Sequence, residues 1–162
     1  CGSSAPHWNP EATGLLLGLN LTQGRHHLVR AAMEGVSLET REILDVFTML
    51  DIPTSEVRLS GGCTCLEVWN QIQADIFEHP VSTLRNPHAT ILGAAVLAGT
   101  GAGAYASVPE ASDAMVKIGR TYRPDAQRSA AYRRLYRRFR SIYRDLNNAN
   151  LFPQICALNL PR

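Results

Sequence analysis

Between Thr22 and Leu84 the hydrophobic period of the chain switches three times, from helical to strand-like, back to helical and back to strand-like. From about Thr22 to Leu50, the residues Leu28, Ala32, Val36, Ile43, Val46 and Phe47 recur near helical spacing, which predicts one long helix containing Gly35. Asp51-Ile52-Pro53-Thr54-Ser55 stops it, and Val57-Arg58-Leu59-Ser60 is a short β-like run broken by Gly61-Gly62. Helical spacing returns in Cys65, Trp69, Ile72 and Ile76, and His79-Pro80 closes that helix before the run Val81 to Leu84. Helix, strand, helix, strand predicts an α/β layer architecture with a parallel strand pair joined by a right-handed crossover. Two strands are too few to cover several helices, so Leu15 to Leu21 and chain upstream of Cys1 are expected to contribute further strands.

The remainder continues in the same style. Asn86-Pro87-His88 opens a helix from Thr90 to about Ala98, whose Gly93, Ala94 and Ala95 permit close approach of a neighbouring backbone. Val108-Pro109-Glu110 starts another that is expected to reach about Lys117. Arg123-Pro124-Asp125 introduces a last helix, Ala126 to about Leu146, with Tyr132, Leu135, Tyr136, Phe139, Ile142, Tyr143 and Leu146 in one apolar stripe. Residues 1–146 thus read as one lobe and 147–162 as a peripheral tail. At 162 residues, 45% hydrophobic and 19% charged, the chain is a folded domain and excludes a disordered tail, a collagen repeat or a coiled coil. The longest uncharged stretch, Ala89 to Ser107, is too diluted by Gly93, Gly99, Gly101 and Gly103 to span a membrane. The sequence starts at Cys1 without a secretory pattern, as expected of a piece of a longer, cytoplasmic protein.

Few places offer chemistry. Val57 to Gly62 is a strand running into two glycines and then a helix. That is the kind of turn where a ligand lies directly on the backbone beyond the carboxyl end of a strand, although the same residues also serve as a plain tight turn. Gly99-Thr100-Gly101-Ala102-Gly103 follows a helix and reads as its C-terminal cap. Arg25-His26-His27 reads as a solvated helix start, since adjacent helical side chains diverge and no carboxylate completes a site. Cys63-Thr64-Cys65 has one intervening residue instead of the two or more usual at zinc, so Cys63 and Cys65 are read as reduced thiols and no metal site is assigned. Serine-hydrolase and zinc-protease signatures do not occur. The net charge of +2 names no partner, but the arginines crowd the last helix. Because its aromatic residues fall on the apolar stripe, a basic solvated face is preferred there to an RNA-binding one.

Gly14-Leu15-Leu16-Leu17-Gly18-Leu19, followed by His27-Leu28-Val29-Arg30-Ala31-Ala32-Met33-Glu34, resembles the second signature of the FGGY carbohydrate kinases. The resemblance continues in register through Ala5-Pro6-His7-Trp8-Asn9-Pro10, Leu59-Ser60-Gly61-Gly62, Gln71 to Phe77, Leu92-Gly93-Ala94-Ala95 and Tyr132-Arg133-Arg134-Leu135-Tyr136. It covers Ala5 to about Leu146 and is nearest to the xylulose-kinase branch. It implies the C-terminal lobe of a ribonuclease-H-like fold of the actin and hexokinase type, here incomplete at its N-terminal strands. It also implies ATP with Mg2+ as cofactors, a pentulose such as xylulose as substrate, and an upstream lobe of the same protein as partner. By matching position, Gly61 and Gly62 pack against adenosine with Cys63 beside them, and Gly93 and Ala94 lie on a helix that lets the lobes pivot. Cys63-Thr64-Cys65-Leu66-Glu67-Val68 stands where the family carries small and polar residues. The family's catalytic aspartate lies upstream of the matched stretch, so no catalytic residue is assigned and the chain alone is expected to be inactive. Two rival readings are a noncatalytic nucleotide-binding or regulatory fragment of such a kinase and an RNA-binding module on the arginine helix. A homodimer is also compatible with the sequence, and no membrane association is expected.

Overall fold

Gly and Pro punctuation sets most of the element boundaries in the computed structural model, which describes residues 2–158. In chain order they are α1 (Arg25–Met49), β1 (Val57–Leu59), a 3-10 turn (Gly62–Cys65), α2 (Glu67–Phe77), β2 (Val81–Leu84), α3 (Ala89–Gly101), α4 (Val108–Met115), β3 (Ile118–Tyr122), α5 (Ala126–Asn148) and α6 (Leu151–Ala157). They form two compact units, Thr54–Ala126 and Cys1–Pro53 with Gln127–Arg162.

In the unit Thr54–Ala126 the three strands lie in the order β1-β2-β3. β1 and β2 are parallel, with Val57 opposite Val81 and Leu59 opposite Thr83, as the crossover reading of the sequence requires. β2 is central and its Val81, Ser82 and Thr83 are buried. α2 buries Ile72, Ala74, Ile76 and Phe77, which carry the apolar area that stabilises this layer. The helix ends at Glu78, in the left-handed region at φ 57°, and Pro80 accepts a backbone bond from Val57 N at 3.1 Å. β3 was not anticipated. It pairs antiparallel with β2, so the fourth helix stops at Met115 instead of continuing to Lys117. Gly119 on β3 lies so close to β2 that a Cβ there would meet Thr83 Oγ1 at 3.1 Å. α4 begins as its sequence predicts, with Ser107 Oγ accepting from Glu110 N at 3.3 Å and Pro109 in the first turn. The buried Asp75 holds the chain entering α5. Its Oδ1 accepts from Asp125 N at 2.8 Å and from Gln71 Nε2 at 2.9 Å.

The second unit is organised by α1 and α5. α1 starts at Arg25, where His27 Nδ1 accepts from Gly24 N at 3.1 Å, which gives His27 a capping role. Two buried tyrosines of α5 reach carboxylates of α1. Tyr132 OH donates to Glu34 Oε1 at 2.7 Å and accepts from Arg30 at 2.9 Å, and Tyr136 OH donates to Asp45 Oδ2 at 2.6 Å. The N-terminal segment is pinned to the same helices. Ser3 Oγ donates to Glu39 at 2.6 Å, while His7 lies 3.0 Å from Glu42 and stacks on Tyr143 at 3.9 Å. Residues 14–21 pair with no strand among the described residues, and Leu15, Leu16, Leu17, Leu19 and Leu21 are exposed. The expected strand from Leu15 to Leu21 is therefore absent, because a strand needs a hydrogen-bonding neighbour and none of the described strands supplies one.

Burial, with the hydrogen bond to Glu34 next, pushes the Tyr132 phenol up to about 12, and burial with the hydrogen bond to Asp45 raises Tyr136 as well. A raised phenol favours the folded state while it is neutral, so this contribution is complete below the ordinary tyrosine range near 10. It is lost as pH rises toward 12. Thermal melts from pH 9 to 12 are expected to show a falling Tm, and Tyr132→Phe to flatten that fall; an unchanged slope would contradict the pairing.

Candidate functional site

The carboxyl ends of the parallel strands β1 and β2 lie side by side, and each runs into a loop built from turn residues. After β1 come Ser60, Gly61 and the 3-10 turn Gly62–Cys65; after β2 come Asn86, Pro87 and His88, which caps α3. The two loops are joined by one short bond, Gly61 N to Pro87 O at 2.7 Å. Crevices of this kind, at the carboxyl edge of parallel strands, are where open α/β sheets take ligands.

The turn is held from below and open above. Gly61 has φ 94°, a conformation that an L side chain occupies only under strain. Its carbonyl accepts from Thr64 N at 3.1 Å and from Thr64 Oγ1 at 2.8 Å. Thr64 O in turn accepts from Asn70 Nδ2 at 2.8 Å, and Asn70 is wholly buried. A Cβ on Gly61 or Gly62 would meet nothing within 4 Å, so both α-carbons face open space. Cys63 and Cys65 are exposed thiols. The structure thus brings Gly61, Gly62 and Cys63 together in one turn, at the end of the strand where the sequence places them.

The supports of this turn were not legible in advance. Thr64 and Pro87 act through backbone geometry that no motif marks. Asn70 carries a weak signal, a polar residue between Trp69 and Ile72 on a helix whose other inward positions, Asp75 apart, are apolar. A Cβ on Gly93 would also meet nothing within 4 Å, and Ile91, Ala94, Ala95 and Leu97 of α3 are exposed, so Gly93, Ala94 and Ala95 face open space. On α5, Tyr132 and Tyr136 are buried, which removes them as stacking platforms, while Arg134, Arg137 and Arg138 are exposed. Among the described residues no group of three or more His, Cys, Asp or Glu side chains is placed to hold a metal ion. No helix there is long and apolar enough to cross a membrane.

The chain has relatives among known proteins. Residues 1–102 match the profile of the FGGY family of carbohydrate kinases, C-terminal domain. The xylulose kinase of Bacillus subtilis is 32% identical over 151 residues, covering 91% of this chain and 30% of that protein. The crystal structure of xylulose kinase from Rhodospirillum rubrum superposes with a TM-score of 0.76 at 34% identity, over 90% of this chain and 29% of that one. The Plasmodium falciparum glycerol kinase with ADP superposes with a TM-score of 0.69 at 25% identity, over 88% of this chain and 29% of that one. The chain therefore spans about 30% of the length of the relatives it matches.

Proposed function

Because this chain belongs to the FGGY family of carbohydrate kinases, with the actin- and hexokinase-like α/β fold of those enzymes, we propose that it holds the adenine nucleotide of an ATP-dependent sugar kinase. The observation that carries the proposal is the Gly61–Gly62 turn, open above both α-carbons, at the shared carboxyl edge of β1 and β2. A flat adenosine fits such a surface because no Cβ holds it away, and Cys63 borders the same space. The buried Asn70 and the Pro87 carbonyl keep the turn from adjusting when the ligand arrives, which lowers the entropy cost of binding.

When bound, Mg-ATP supplies the phosphoryl group that passes to a sugar hydroxyl. The contribution proposed for this chain is positional, to fix the nucleotide, and it is not assigned the base or the carboxylate set for magnesium. Those belong to an upstream lobe of the same protein, which also binds the sugar. A pentulose such as xylulose is the proposed substrate, supported by the likeness to two xylulose kinases. The exposed face of α3 around Gly93 and Ala94 is the surface proposed to meet that lobe, and the exposed free thiols suit a cytoplasmic setting.

The chain alone is expected to show no xylulose-dependent ADP release. Joined in frame to the part of Bacillus subtilis xylulose kinase that precedes its matching stretch, it is expected to restore turnover. A coupled assay of ADP release with xylulose, gluconate and glycerol checks both statements. Sugar-dependent turnover by the chain alone, or a well-folded chimera inert toward all three, would contradict them.

A further inference from the structure

The nucleotide reading assigns no chemistry to two exposed thiols of the same turn. Cys63 and Cys65 flank Thr64 in the 3-10 turn, both thiols are exposed, and neither is engaged in a disulfide. We propose that these two thiols form a redox-responsive pair, which glutathione disulfide converts to a Cys63–Cys65 disulfide, and that this oxidation releases adenine nucleotide from the turn. The inference rests on the reading of the Gly61–Gly62 turn as the nucleotide site and adds a regulation to it.

The geometry sets both the reach and the consequence. Two residues apart on a 3-10 helix, α-carbons are roughly 5 Å from each other, while their side chains diverge by about 120°. The separation lies within the span a disulfide bridges, but the directions do not, so closing the bond requires the turn to change shape. That turn carries the bonds from Thr64 to the Gly61 carbonyl and from Asn70 to the Thr64 carbonyl. Forming the disulfide pulls against both and disturbs the backbone of Gly61 and Gly62.

The chemistry balances without a further reactant. One thiol, as its thiolate after losing a proton, attacks a sulfur of glutathione disulfide; the cysteinyl–glutathione bond forms, the glutathione S–S bond breaks, and one glutathione thiolate leaves and takes up a proton. The second cysteine, also as thiolate, then attacks the cysteinyl sulfur of the mixed disulfide and expels the second glutathione. Two protein thiols are oxidised, and one glutathione disulfide is reduced to two glutathiones. Excess reduced glutathione or dithiothreitol reverses the sequence.

The test is incubation of the 162-residue chain with glutathione disulfide, followed by tryptic mass analysis and by calorimetric titration with Mg-ADP. The peptide Leu59–Arg85 contains Cys63 and Cys65 and no other cysteine. The expected result is a peptide lighter by two hydrogens and a Kd for Mg-ADP at least about tenfold weaker, restored by dithiothreitol. Cys65→Ser is expected to stop at the glutathione adduct. Recovery of the wild-type peptide with both thiols intact, or with only the adduct, would overturn the proposal, as would a disulfide that leaves nucleotide affinity unchanged. In those cases the reduced chain still reports on the nucleotide site. If the reduced chain binds no Mg-ADP, the nucleotide reading itself falls and the regulatory claim with it, while the peptide mass separately records whether the thiols react.

Discussion

Asp75→Ala is expected to destabilise the unit Thr54–Ala126 by about 2–4 kcal/mol, since hydrogen bonds to a charged group contribute roughly 1.5–3 kcal/mol each and a buried donor left without a partner adds its desolvation cost. The carboxylate is 1% exposed and accepts from the backbone of Asp125 and the side chain of Gln71. Gln71 also donates to the Arg123 carbonyl at 2.9 Å, so one side-chain pair on α2 fixes the stretch Arg123–Asp125 that leads from β3 into α5. Alanine removes the acceptor and leaves a small cavity. Asp75→Asn keeps an acceptor of the same shape and is expected to cost about half as much. Urea unfolding followed by hydrogen exchange at the amides of α2 and residue 125 measures both effects. A loss below about 0.5 kcal/mol, the scale of an ordinary surface substitution, would mean that this carboxylate does not anchor the turn.

The same unit shows where sequence reasoning succeeds and where it runs out. β1, the Gly61–Gly62 break, α2 and β2 were legible because Gly or Pro separates each element from the next, and because the apolar positions of α2 recur at helical spacing. β3 was not, because Ile-Gly-Arg-Thr-Tyr has no alternation: Ile118, Gly119, Arg120 and Thr121 are exposed and only Tyr122 is buried. An edge strand whose partner is fixed by tertiary contact leaves little trace in hydrophobic period. α6 lies in the stretch 147–162 expected to be a peripheral tail, and its Pro153 is no bar to a helix. It stands in the first turn of the helix, where its missing N–H leaves no bond unmade, and Phe152 beside it is buried 5.3 Å from the Tyr143 ring. Of the candidate site, the glycine pair was readable and its anchors were not. Asn70 and Pro87 act through single hydrogen bonds to backbone atoms, and a one-dimensional pattern does not encode which carbonyl a buried amide will find.

Gly62→Val is the substitution with the largest expected effect on binding. Gly61 is unsuitable as a probe, because its φ of 94° would strain any branched residue and confound folding with affinity. Gly62 has no such constraint, and the space above its α-carbon is open, so valine is tolerated in the empty turn and intrudes only where a ligand lies. A branched side chain between adenosine and the backbone forfeits close contact over the whole ring face, for which a loss of at least about 30-fold in affinity, about 2 kcal/mol, is expected.

Calorimetric titration of the reduced chain with Mg-ADP, wild type against Gly62→Val, with circular dichroism and Tm recorded on both, tests the central claim most directly. Saturable binding by the wild type is expected, and its loss in a variant that melts within a few degrees of it. Equal affinity in the two proteins would place the nucleotide elsewhere, and no binding by a folded wild-type chain would contradict the assignment of the Gly61–Gly62 turn as a site sufficient to hold adenine nucleotide.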